Sequence, residues 1–95
     1  MVKKEAYREK QEAQFKEWKA TLDMLEAKAA KATAGVKAEL LREIELLQEK
    51  KGVVLEKWNE LQKSGGEAWD DLKEGVEKSA AELKNALDRV ISRFK

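Results

Sequence analysis

Carboxylates are the side chains of this sequence with the greatest potential for chemistry, and two pairs lie close together. Asp70-Asp71 and Glu43-x-Glu45 have residue types that act as general acids and bases or bind metal ions in other proteins. Helical bundles that hold two metal ions, however, combine Glu with a His three residues further on and turn both inward. The chain has no His, and all 19 Asp and Glu residues lie outside the apolar repeat described below. We therefore interpret these carboxylates as solvated surface charge.

The composition excludes several other kinds of site. Without His there is no usual general base, and without Cys there are no disulfides and no thiolate metal sites. The segment Ser64-Gly65-Gly66-Glu67 lacks the Lys-Ser/Thr pair that completes a phosphate-binding loop. We expect no enzyme activity, no cofactor and no metal ion.

Positive and negative charges are balanced along the whole chain. Residues 1–34 carry eight basic and six acidic groups, residues 35–63 six and six, and residues 64–95 six and seven. Proteins that bind nucleic acids usually have a stripe of one sign, so we expect no nucleic-acid partner. The first residues lack the apolar run of a secretory signal, and no segment approaches the roughly 20 apolar residues of a membrane span. We expect a cytoplasmic protein.

Long helices are the elements that this composition favours, because 41% of the residues are charged and the chain has no Pro. The strongest break is Ser64-Gly65-Gly66, since two consecutive Gly residues disfavour a helix. Ser64 and Glu67 have the spacing of a capping box, which begins a helix. We predict one helical domain over residues 1–95, with helix 1 over about 3–63, a turn at 64–66 and helix 2 over about 65–94.

An eleven-residue apolar repeat, with steps of four, three and four, starts at Tyr7 and runs through both helices without a change of phase at Gly35 or Gly52. Its period of about 3.67 residues per turn predicts a hendecad coiled coil that is straight or slightly right-handed, rather than a heptad. The residues that we predict to form the core or an interface are Tyr7, Phe15, Trp18, Leu22, Leu25, Val36, Leu40, Ile44, Leu47, Leu55, Trp58, Trp69, Leu72, Val76, Ala80, Leu83, Leu87, Ile91 and Phe94.

The two helices match in an antiparallel hairpin that pairs Trp58 with Trp69 and Leu47 with Ala80. Helix 1 would be about 90 Å long and helix 2 about 45 Å, so residues 1–32 have no partner in the hairpin. One solution is an antiparallel homodimer with three-helix ends, and the other is a turn near 34–35 that gives a monomeric three-helix bundle. These are domain-swapped versions of one packing, and the unbroken repeat favours the dimer.

The three Trp residues allow two interpretations, as membrane-interface anchors or as core residues, and the hairpin pairing favours the core. Helix 2 nevertheless has a complete apolar face, as do helices that lie flat on lipid. Its acidic and basic residues are mixed, however, which suits water and helix–helix contacts. Reversible binding to lipid or membrane surfaces therefore remains the alternative function.

A family resemblance supports the helical interpretation over most of the chain. The residues that carry it are Glu67-Ala68-Trp69-Asp70-Asp71-Leu72-Lys73, Gly75-Val76-Glu77-Lys78, Ser92-Arg93-Phe94-Lys95, and Tyr7, Gln14, Trp18 and Leu25. In these residues the chain resembles small bacterial coiled-coil proteins of unknown function, although Ala80 departs from the aromatic residue that members often carry. The resemblance implies a bacterial helical protein and no particular activity. We expect a non-enzymatic structural or protein-interaction protein, a self-associating helical rod.

Overall fold

Three α-helices make up most of the chain, and the computed structural model describes the backbone of residues 2–95 and the side chains of residues 4–95. The helices are α1 (Val2–Ala30), α2 (Ala34–Lys63) and α3 (Trp69–Arg93), and these residues contain no strand. The prediction of an all-α protein is confirmed. The chain divides into two compact units, one ending at Leu41 and the other running from Arg42 to Lys95.

The predicted first helix over about 3–63 is wrong in length, because the chain leaves the helix after Ala30. The amides of Lys31 and Ala32 each donate a hydrogen bond of 3.2 Å to the carbonyl three residues earlier. Such bonds tighten the last turn of a helix and use carbonyls that would otherwise lack a donor. The helix α1 therefore ends in a regular way, within a segment that has strong helix formers.

Thr33 is the residue at which the chain enters α2. Its carbonyl accepts a hydrogen bond of 2.7 Å from the Lys37 amide, the first i→i−4 bond of the new helix. Thr33 thus occupies the N-cap position, where Thr is a favoured residue type. Gly35, near which the sequence analysis placed the alternative turn, lies within the first turn of α2.

The connection between α2 and α3 is longer than predicted and is not built around a capping box. The Ser64 hydroxyl donates a hydrogen bond of 2.7 Å back to the Leu61 carbonyl, so it closes the end of α2. The N-cap of α3 is Ala68, which makes no side-chain capping bond, and Glu67 lies in the connection. The helix α3 consequently begins at Trp69 and not near residue 65.

The buried side chains of α1 all fall on the eleven-residue repeat. They are Tyr7, Gln11, Trp18, Leu22, Leu25 and Ala29. Phe15, predicted to belong to the core, is half-buried, and its ring centroid lies 5.4 Å from that of Trp18 at an interplanar angle of 46°. Tilted aromatic pairs at this distance are favourable. Val36 was also assigned to the core, but it is 43% exposed, whereas Leu40 is fully buried.

The buried side chains of α2 have seven-residue spacing instead. They are Leu40, Ile44, Leu47, Val54, Trp58 and Leu61. The eleven-residue repeat predicts burial at Leu55 and places Gln62 on the same face, but Leu55 is half-buried and Gln62 is exposed. A heptad keeps one stripe against a partner helix that crosses at about 20°. The hendecad interpretation is therefore wrong for α2, although it describes α1.

The helix α3 buries one continuous face. Its buried residues are Val76, Ser79, Ala80, Leu83, Ala86, Leu87 and Val90. Predicted core residues near its two ends, Trp69, Leu72, Ile91 and Phe94, are half-buried. The Ser79 hydroxyl donates to the carbonyl of Gly75 at 2.9 Å and to that of Val76 at 3.1 Å, so its burial leaves no donor unsatisfied.

The pairing of α2 with α3 differs from the predicted register. The prediction places Leu47 opposite Ala80, whereas Leu47 lines one groove together with Ala86 and Val90. Near the end of the hairpin, an Arg93 guanidinium nitrogen lies 3.6 Å from a Glu43 carboxylate oxygen. These contacts lie about two helical turns further along α3 than predicted. The longer connection accounts for the direction of this shift. It places the reversal of the chain closer to the carboxyl terminus, so each α2 residue lies opposite a later residue of α3.

The role of Ser64 in ending α2 is testable. We expect Ser64→Ala to lower the free energy of unfolding by about 1 kcal/mol, because it removes a part-buried hydrogen bond to the Leu61 carbonyl. Glu67→Ala is the matched control and should change stability little. Urea unfolding followed by circular dichroism measures both. Equal losses from the two variants would support a capping box and contradict the assignment.

Gln11 supplies a second stability test, because it is only 3% exposed and its Oε1 has no hydrogen-bond partner among the described residues. Gln11→Met keeps the length of the side chain and removes the unsatisfied acceptor. We expect the free energy of unfolding to rise by about 1 kcal/mol. Gln14→Met, at a half-buried position, is the control with a smaller expected effect. Destabilisation by Gln11→Met would show that the amide is needed.

Candidate functional site

A groove between α2 and α3, within the unit from Arg42 to Lys95, is the candidate site. Its volume is about 340 Å³, and it is lined by Glu43, Leu46, Leu47, Lys50, Ala86, Arg89, Val90 and Arg93. Leu47, Ala86 and Val90 are buried and form an apolar floor, while Leu46 is 47% exposed at the edge. The small Ala86 side chain contributes to the open space, because a larger residue on α3 would extend over the floor.

The rim of the groove is basic. Lys50 on α2 and Arg89 and Arg93 on α3 face a single acidic group, Glu43. Neither Lys50 nor Arg89 has an ion-pair partner among residues 4–95. The groove therefore combines an apolar floor with two exposed cations on its rim, and neither cation has a carboxylate partner among the described residues.

Glu43 and Arg93 close the end of the groove that is furthest from the α2–α3 connection. Their side chains lie 3.6 Å apart and are 29% and 56% exposed, respectively. The Arg93 guanidinium also lies 5.3 Å from the centroid of the Phe94 ring, within range of a cation–π contact. Arg93 is thus held by an acid and an aromatic ring, which distinguishes it from Lys50 and Arg89.

The structure distributes the predicted core and interface residues among several environments. Those it buries are Tyr7, Trp18, Leu22, Leu25, Leu40, Ile44, Leu47, Trp58, Val76, Ala80, Leu83 and Leu87. Among them, only Leu47 lines the groove. Trp18 and Trp58 are each 5% exposed, and Trp69 is half-buried. None of the three Trp side chains stands fully exposed as an interfacial anchor would.

The sequence patterns drew attention to Glu43 only as a surface carboxylate, and they did not indicate that Leu46, Lys50 and Arg89 line a groove. The missed signal is a set of adjacent apolar pairs, such as Leu46-Leu47 and Val53-Val54, in which a helical repeat can bury only one member. The structure leaves Leu46 and Val53 exposed by 47% and 45%. The two basic residues Arg89 and Arg93, four positions apart, are a further signal, because residues at this spacing share one helix face.

The carboxylate pairs Asp70-Asp71 and Glu43-x-Glu45 do not belong to a metal-binding group among the described residues. Within the described residues, no cluster of three or more His, Cys, Asp or Glu side chains is placed to hold a metal ion. Among the helices of that same part of the chain, none combines the length and apolarity needed to cross a membrane.

The fold and the groove define an all-α protein whose candidate site combines an apolar floor with a basic rim. No family model matches the chain, and neither a curated protein nor a solved structure matches it. The resemblance to small bacterial coiled-coil proteins therefore stays a prediction.

The adjacent residues Leu46 and Leu47 test the placement of the groove. We expect Leu47→Ala to lower the free energy of unfolding by about 2–5 kcal/mol, as for other fully buried Leu residues. Leu46→Ala should cost less than about 1 kcal/mol, because roughly half of that side chain is exposed. Chemical denaturation measures both values. Comparable losses would mean that Leu46 belongs to the core and that the groove is closed in solution.

Proposed function

We propose that this protein is a non-enzymatic interaction protein that associates with itself, forming a homodimer by exchange of α1. In this dimer, residues 31–33 become helical and join α1 and α2 into one long helix. Each α1 then packs on the α2–α3 hairpin of the other copy. The observation that supports this proposal is the connection between α1 and α2, which contains no residue that requires a turn.

The residue types at this connection are compatible with a helix. Lys31 and Ala32 rank high in helix propensity, and Ala30 and Ala34 flank the segment. No described residue has a positive φ angle, so the turn contains no left-handed residue that would prevent it from becoming helical. Short hinge loops between elements are places where domain swapping occurs.

The burial of side chains along α1 explains why the exchange of α1 between two copies would conserve the stability of the fold. Trp18, Leu22 and Leu25 are at most 5% exposed, and each large apolar side chain gains roughly 1.5–3 kcal/mol from burial. In the proposed dimer, these side chains pack against the α2–α3 hairpin of the other copy. The balance between monomer and dimer then depends on the connection and on the entropy of association, so a single substitution at residues 31–34 can shift it.

Binding to lipid surfaces, the alternative function suggested by the apolar face of α3, is less well supported. Val76, Leu83 and Val90 on this face are at most 5% exposed. Lipid binding by this face would require the α2–α3 hairpin to open. Self-association needs no such step, so we favour it.

Two substitutions at the connection test the proposal in opposite directions. In the turned form Ala34→Pro puts Pro at the first position of α2, where it is tolerated, but it costs about 3 kcal/mol inside a continuous helix. We expect at least a hundredfold increase in the dimer dissociation constant. Thr33→Ala removes the N-cap residue and favours the continuous helix, so it should strengthen the dimer. Sedimentation velocity at several concentrations gives both mass and elongation.

Gly52→Ala is the control, because the added Cβ has no neighbour within 4 Å and should stabilise α2 equally in both forms. It should leave the monomer–dimer equilibrium unchanged. The proposal fails if the unsubstituted chain sediments as a compact monomer at all concentrations. It also fails if Ala34→Pro leaves the dimer dissociation constant unaltered.

A further inference from the structure

We propose that the groove between α2 and α3 binds one anionic single-chain amphiphile, such as an alkyl carboxylate, with its chain on the apolar floor and its head group between Lys50 and Arg89. This binding goes beyond self-association, because it involves residues of α2 and α3 and not the connection at residues 31–33. It does not depend on the exchange of α1, since every lining residue belongs to the unit from Arg42 to Lys95.

The size of the groove favours a small molecule over a protein helix or a membrane. Its volume of about 340 Å³ lies at the lower end of the range for ligand pockets. From Glu43 to Lys50 it extends along α2 for only about 10 Å. A docked helix places apolar side chains over several turns and needs a longer groove. About eight carbons of a single extended alkyl chain span this length and would cover the exposed half of Leu46, while the end of a longer chain extends beyond the groove.

The distribution of charge favours an anionic head group at one end. Arg93 already faces Glu43 at 3.6 Å, whereas Lys50 and Arg89 have no acidic partner in the described part of the chain. A carboxylate accepts charge-assisted hydrogen bonds from both kinds of side chain, and Arg can bind it in a bidentate manner. Glu43 repels an anion at the opposite end, so the head group takes the Lys50–Arg89 side.

The same charges disfavour a second copy of the chain as the occupant. In a twofold-symmetric contact the same surface meets itself, so three basic side chains of each copy, Lys50, Arg89 and Arg93, would meet a surface with the same excess of positive charge. Like charges in contact oppose association, and the groove supplies only Glu43 to offset them. An anionic amphiphile, by contrast, satisfies both the apolar floor and the basic rim.

The first experiment uses dodecanoate, below the concentration at which it forms micelles, with dodecyltrimethylammonium as the cationic comparison. Calorimetric titration should show one dodecanoate per chain, binding at least tenfold tighter than the cation and weakening as salt is added. Amide chemical shifts of the full chain should change around Leu46, Ala86 and Val90. Equal affinity for the cation, or shift changes confined to another surface, would overturn the proposal.

Two pairs of variants locate the binding. Arg89→Glu should weaken dodecanoate binding by about tenfold, because it removes an attraction and adds a repulsion. Lys84→Glu changes the net charge equally on an exposed position outside the groove and should have little effect. Ala86→Leu should fill the floor and abolish binding, whereas Ala81→Leu, at an exposed position of α3, should not. Helical circular dichroism checks that each variant folds.

Three further outcomes distinguish this proposal from other occupants of the groove and from self-association. Flotation with anionic phosphatidylglycerol vesicles, without binding of monomeric dodecanoate, would mean that a membrane is the occupant and would overturn the proposal. Association of two chains that Ala86→Leu abolishes would assign the groove to a second copy, with the same consequence. Ala34→Pro should bind dodecanoate as tightly as the unsubstituted chain, so this inference and the exchange of α1 can fail separately.

Discussion

The packing of α3 against α2, within the unit from Arg42 to Lys95, is the interaction on which the rest of that unit depends. On the buried face of α3, small residues, Ser79, Ala80 and Ala86, lie beside the larger Leu83 and Leu87. The buried residues of α2 in the same unit are Ile44, Leu47, Val54, Trp58 and Leu61. Their seven-residue spacing is the one that keeps a single stripe against a partner helix.

The groove follows from the same packing. Where α3 presents Ala86, the two backbones leave space that Leu46 does not fill, and the basic side chains of both helices surround that space. The Ser79 hydroxyl shows how a polar residue on this face is accommodated, since it hydrogen-bonds to its own helix at Gly75 and Val76. The small residue Ala86 on α3 thus leaves an open groove within an otherwise buried face.

Apolar patterning predicted the helices well and their interruptions poorly. The stripe of α1, from Tyr7 to Ala29, follows the repeat, and even the polar Gln11 is buried where the repeat places it. Adjacent apolar residues on α2, such as Val54 and Leu55, leave the choice open, because either one continues an acceptable period. The break at 31–33 has only weak local signals, Thr33 at the N-cap and Gly35 after it, because Lys31 and Ala32 are good helix formers and the apolar repeat continues without a change of phase.

By itself, the sequence determined an all-α chain with charged outer surfaces, no His or Cys chemistry, and a reversal after Lys63 at a pair of Gly residues. The tertiary structure decided the turn at residues 31–33, the register of α3 on α2, and the groove with Lys50 and Arg89 on its rim. The physical reason is that helix propensity and periodicity act within about two turns of chain. Register and free space depend on contacts between side chains that are far apart in sequence.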